Sequence, residues 1–185
     1  MTIEKKNQLD KQIDHVTDRL LQNKAIRHVL FSVESLDGKY DSKTAKGRLH
    51  ATGDPVSVDT PFWIASITKM FIAIIVLRLS EEGTLDLSDY IVKHIPKALM
   101  KGVHVLHGRD YGELLTIDHL LKHASGIPDY MELKQKDKKT IIDRIIEGDD
   151  RSWDIAELLG IVKDAQKPRF KPQDVSKGRF TVGYS

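Results

Sequence analysis

Ser66 and Lys69 are a hydroxyl and an amine three residues apart, at the start of the apolar run Met70, Phe71, Ile72, Ala73, Ile74, Ile75, Val76, Leu77. On a helix that spacing puts both side chains on one face, about 5–6 Å apart at Cβ. A serine needs a nearby base before it can attack a carbonyl, and a lysine can be that base only if its proton is made loose. Burial does this by disfavouring the charged ammonium. The positive end of the helix dipole works in the same direction. The chemistry predicted is acyl transfer through a serine ester. A solvated lysine beside a capping serine would fit the spacing of the two residues equally well.

A second pair, His119 and His123, is four residues apart and could grip a metal from one helix face. No glutamate or third ligand accompanies it, so the pair is read as loop docking and C-terminal helix charge, and no metal is assigned. His104 and His107 fall in an irregular stretch and could line the entrance to a site. Trp63 stands just before Ser66, and core packing explains it better than a pocket floor.

These residues must be positioned by secondary structure. From Met70 to Leu77 the run is apolar on every side, which predicts a buried helix rather than an amphipathic one. Arg78, Glu81 and Glu82 return it to water, and Gly83 is the residue expected just past its end. Leu9, Ile13, Val16, Leu20 and Leu21 give residues 4–23 a helical period. Residues 25–35 read as a strand, Asp37-Gly38 as a turn, and Arg48 to Thr52 as the return strand, with the polar residues Asp41, Ser42, Lys43 and Lys46 in a loop between. Downstream, a short helical turn ends at Pro96, and residues 97–114 are irregular. Thr116 caps a helix running to His123. Helices are also predicted at 140–147 and 153–164, and a proline- and charge-rich loop from Lys167 to Gly178.

The flanks of Ser66 carry a resemblance. Thr60-Pro61-Phe62-Trp63-Ile64-Ala65-Ser66-Ile67-Thr68-Lys69, then Leu79 to Asp89, then Leu115-Thr116-Ile117-Asp118-His119-Leu120-Leu121-Lys122-His123-Ala124-Ser125-Gly126-Ile127-Pro128-Asp129-Tyr130, resemble the serine β-lactamase-related superfamily. The branch is that of class C β-lactamases, D-alanyl-D-alanine carboxypeptidases, D-aminopeptidases and related esterases. The resemblance implies an α/β (α+β) fold, an antiparallel sheet flanked by helices plus a mostly helical subdomain. It divides the chain into 1–85 with the nucleophile helix, 86–175 as the helical subdomain, and 176–185 as the start of a second catalytic element. It implies Ser66 as nucleophile, Lys69 as its base or tuning charge, and Tyr184 as a second proton-transfer group. Ser125 matches an element that is structural. Gln173 stands where relatives often have glycine, which puts the turn geometry of that loop in question.

The resemblance also implies an asparagine two residues after the tyrosine, and a third element on a C-terminal strand that supplies one oxyanion N–H. The sequence stops at Ser185, before either. A fragment is therefore expected, or a chain completed by its missing C-terminal segment or by a second chain. The expected function is serine hydrolysis of a β-lactam, a D-amino-acid peptide or a small ester, with no cofactor. The alternative is a catalytically silent binding or scaffold protein of the same fold.

Composition narrows the partners. In 185 residues a net charge of +2 gives no reason to invoke nucleic acid, and the apolar run is too short to span a bilayer. With no cysteine, disulfides and thiolate metal sites are excluded. The first residues have no apolar signal core, so the chain as it stands is expected in the cytoplasm, or exported if its start is a trimmed boundary.

Overall fold

The computed structural model describes residues 2–49, 52–149, 151–178 and 180–183. They form two compact units, residues 1–65 and 66–185.

In the first unit, helix α1 (Ile3–Leu21) starts at Thr2, whose hydroxyl accepts from the Lys5 amide, and turns Ile13 and Thr17 inward. It packs on an antiparallel hairpin of β1 (His28–Glu34) and β2 (Asp41–Gly47), in register from His28 opposite Gly47 to Glu34 opposite Asp41. The return strand is thus Asp41–Gly47 and not Arg48–Thr52, where His50 and Ala51 lie outside the described residues. Of the residues read as a polar loop, Ser42 and Lys46 are satisfied by α1, while Asp41 and Lys43 pair with each other at 3.5 Å. The Tyr40 hydroxyl donates to Asp10 at 2.8 Å and that of Ser42 at 3.1 Å. The Lys46 ammonium bonds Asp18 at 2.7 Å and Asp14 at 3.1 Å, and the Asp18 bond leads in raising its pKa.

In the second unit, α2 (Thr68–Glu81) ends as predicted, with Gly83 at φ +72° and the Thr84 amide bonded back to the Leu79 carbonyl. The expectation of a buried helix is not met. No residue of α2 is buried, and Phe71, Ile72, Ile74, Ile75 and Leu77 are each about half exposed. The physical reason is that the core of this unit is assembled elsewhere. Ile91, Met100, Val103, Leu115 and Val162 form it, with Ile127, Tyr130 and Leu159 packed against them.

That core is gathered by short elements: α3 (Lys97–Met100), the hairpin β3 (Val105–Leu106) and β4 (Arg109–Asp110), α4 (Ile117–Leu121), α5 (Ile141–Ile146) and α6 (Ile155–Ala165). The hairpin departs from the irregular stretch predicted. Its two-residue turn, His107-Gly108, has φ of +50° and +78°, the left-handed pair that such turns require. Asp110 ties the hairpin down by accepting from the Gly102 amide at 2.7 Å and the Gly112 amide at 2.8 Å. Thr116 caps α4 in a reciprocal box, as its position predicts; Thr140 caps α5 in another, and Asp154 caps α6. Among the described residues no helix is long and apolar enough to cross a membrane.

Candidate active site

Ser66 lies in a single 3₁₀ turn, Ala65–Ile67, that runs directly into α2, so its backbone amide stands at the positive end of that helix. Ala65 before it has φ +47°, a left-handed conformation that costs an L-residue about 1–2 kcal/mol. Strain of this kind gathers at functional sites. One turn along, the Lys69 ammonium donates to the Ser66 hydroxyl oxygen at 3.4 Å. The two side chains predicted to meet do meet, by a long bond. The dry surroundings predicted for Lys69 are not there: both residues are exposed, because the helix that carries them is uncovered. Tyr184, the third residue of the predicted set, lies outside the described residues. Trp63 is 75% exposed and belongs to neither a core nor a pocket floor.

His104 does not line an entrance. It is fully buried, its ring edge-on to Tyr111 at 5.5 Å, and its Nε2 donates to the Phe170 carbonyl at 2.8 Å. His107 sits exposed at the hairpin tip. His119 is committed on both ring nitrogens: Nδ1 accepts from the Thr116 amide at 3.0 Å, and Nε2 donates to the Gln173 carbonyl at 2.7 Å. Ser125 is fully buried, and its hydroxyl accepts from the Ile127 amide across the Gly126 turn, a structural role.

The residue that sequence reasoning undervalued is Gln173. It marks the point where residues 167–178 and 180–183, a strap broken by one 3₁₀ turn at Val175–Lys177, are stitched to the segment 123–126. The Arg169 amide donates to Gly126 at 2.8 Å, that of Gln173 to Ala124 at 3.1 Å, and that of Gly183 to His123 at 2.9 Å. The Gln173 side chain also accepts from the Thr181 amide at 3.4 Å, holding the strap to itself. A glycine at 173 would keep the backbone bond to Ala124 and lose the side-chain bond to Thr181.

A family model described as Beta-lactamase matches residues 35–168. The chain is 40% identical over 72 residues to Protein flp of Staphylococcus aureus (strain NCTC 8325 / PS 47), and 35% identical over 77 residues to Penicillin-binding protein 4* of Bacillus subtilis (strain 168). These stretches are 39% and 42% of this chain but only 13% and 14% of those proteins. Its fold is similar to that of D-amino acid amidase from Ochrobactrum anthropi SV3 complexed with L-phenylalanine, at TM-score 0.65 and 22% identity, over 96% of this chain and 43% of that one. The same enzyme complexed with L-phenylalanine amide gives TM-score 0.66 and 23% identity. With the antiparallel sheet, the helical elements and the matched family model in agreement over most of its length, the chain belongs to the β-lactamase family.

Proposed function

We propose that the chain carries the nucleophile of a serine hydrolase that acts on amide or ester carbonyls through an acyl-enzyme. The observation that carries this reading is the Lys69-to-Ser66 hydrogen bond at the head of α2, within the stretch matched by the Beta-lactamase model. The Ser66 hydroxyl oxygen bonds to the carbonyl carbon, and its proton passes to Lys69 in the neutral form. The tetrahedral intermediate collapses, the C–N or C–O bond breaks, and that proton leaves with the amine or alcohol. Water then repeats the sequence on the ester and restores Ser66. Tyr184 follows the strap in sequence and supplies a second proton-transfer group. The resemblance to a D-amino acid amidase and to a penicillin-binding protein favours D-amino-acid amides, D-peptides and β-lactams over simple esters.

The uncovered apolar circumference of α2 and the limited share of the relatives' length that the chain spans support a further part of this reading. A continuing segment of chain, or a second chain, covers the helix and withdraws Lys69 from water. The exposure of Lys69 favours one alternative, a binding protein of this fold that does not turn over.

The test is intact mass after treating the whole protein with a fluorescent penicillin or a fluorophosphonate. One covalent adduct, absent from Ser66→Ala, is expected. A well-folded whole protein that no acylating probe modifies would leave the binding reading in place. Comparing a D-amino-acid amide with p-nitrophenyl acetate then separates amidase from esterase.

A further inference from the structure

A cleft of about 790 Å³ opens between α6 and the loop Lys134–Asp137, with Arg144 of α5 at its wall. All of these elements belong to the second unit. Glu157, Gly160, Ile161 and Asp164 are spaced three and four apart, so one face of α6 forms the floor. The middle of that floor is open: a side chain on Gly160 would meet nothing within 4 Å. Ile161 and Ala165 beside it make this part of the floor apolar.

The wall holds donors without acceptors. The Arg144 Nε–H and the Gln135 side-chain N–H are buried and have no partner among the described residues. A buried donor left unpaired is a cost that folded proteins rarely carry. The nearby carboxylates are already committed. Asp137 accepts the Lys139 amide at 3.0 Å on one oxygen and the Arg144 guanidinium on the other. Glu157 is held on both oxygens by Arg151, at 3.0 and 2.6 Å, and Arg151 in turn stacks on the Trp153 ring at 3.8 Å. Asp164 is mostly exposed and reaches Lys136 at 3.9 Å. Lys134 is in no ion pair among the described residues and acts on Asp143 only at a distance. Counting Arg151, four cations stand against three carboxylates, so the cleft keeps a net positive charge.

The loop does not need the Gln135 side chain. The Gln135 amide donates to the Lys139 carbonyl at 2.9 Å, and its carbonyl accepts the Lys138 amide at 2.9 Å, so its backbone alone makes the turn.

We propose that this cleft binds an organic acid, one carboxylate carried on a compact apolar group. The carboxylate sits between Lys134, Gln135 and Arg144. It accepts the N–H groups that the fold leaves unpaired, which small rotations of the two side chains bring to it. The apolar group lies on Gly160, Ile161 and Ala165. Opposite charge and two charge-assisted hydrogen bonds select an acid over its neutral amide. The site shares no residue with Ser66 and Lys69 and stands without the hydrolase reading, although hydrolysis of an amide or ester releases an acid of this kind.

The test is titration of the whole protein with N-acetyl-leucine, with its neutral amide and with inorganic phosphate. Calorimetry reads the affinity, and the nitrogen–proton signals of the Arg144 Nε–H and the Gln135 side chain read the place. The acid should bind saturably, move both signals, and bind about tenfold or more tighter than the amide. Gly160→Leu, which puts a side chain into the open part of the floor, should abolish binding without lowering the melting temperature. Gln135→Leu, which keeps the turn and removes one donor, should weaken the acid by about tenfold and leave the amide unchanged. Acid that does not saturate, equal affinity for acid and amide, or binding that survives Gly160→Leu overturns the site. Phosphate that binds as tightly as the acid also overturns it, since lysines at the rim would then be enough. None of these readings needs turnover, so a protein never acylated at Ser66 fails the hydrolase reading alone.

Discussion

The carbonyl oxygen of Phe170 fills the space that a side chain on Gly126 would need. Gly126 is also at φ +79°, so an alanine there meets a backbone penalty and a steric overlap together. Gly126→Ala should cost about 3 kcal/mol or more in urea unfolding, with the strap amides losing protection first. A loss below about 1 kcal/mol would mean that the strap yields easily and that the contact does not constrain it.

Leu115 is fully buried at the centre of the second unit, and its carbonyl accepts the Ile91 amide. Leu115→Ala should lower stability by about 2–5 kcal/mol through lost transfer energy and a residual cavity. The midpoint of denaturant unfolding reads it directly.

Acid should weaken the scaffold through two depressed carboxyls. The Lys93 ammonium, followed by the Asp86 amide, pulls the Asp89 carboxyl down to about 2, and the Ser176 hydroxyl with Lys177 does the same for Asp174. Both acids are depressed below the ordinary 3.8, so their stabilisation is whole above about pH 4 and is lost as pH falls toward 2. Melting temperature followed from pH 6 to pH 2 should drop in that window, and less steeply in Asp89→Asn.

If a further chain segment covers α2, a charge on the helix separates the two situations. Ile74 is 52% exposed here, so Ile74→Asp in the 185-residue chain should change stability by about 0.5 kcal/mol or less. In the whole protein the same substitution should cost several kcal/mol, because it would bury a charge. Equal effects in both would remove the proposed cover.

What the sequence disclosed was what local chemistry decides. Thr116 and Thr140 cap their helices through residues three positions on, and Gly83 ends α2 through a turn of its own, so a short window contained each answer. Strand β2 was illegible because nothing near Asp41–Gly47 explains it. Its Ser42 and Lys46 are satisfied by Asp10, Asp14 and Asp18 of α1, a tertiary fact. His104 and Gln173 were misjudged for the same reason, since their partners are 66 and 54 residues away. The burial expected of α2 failed differently: an apolar sequence states what a helix needs covered, not what covers it. The meeting of Ser66 with Lys69 was legible because one helical turn is enough to fix it.

The wet circumference of α2 has a thermodynamic signature. Apolar surface already hydrated in the native state adds nothing when the chain unfolds, so it contributes neither to the heat-capacity increment nor to the denaturant slope. The 185-residue chain should therefore show a flatter stability curve and a shallower urea transition than its length would give, and both should steepen in any form where the helix is sheltered.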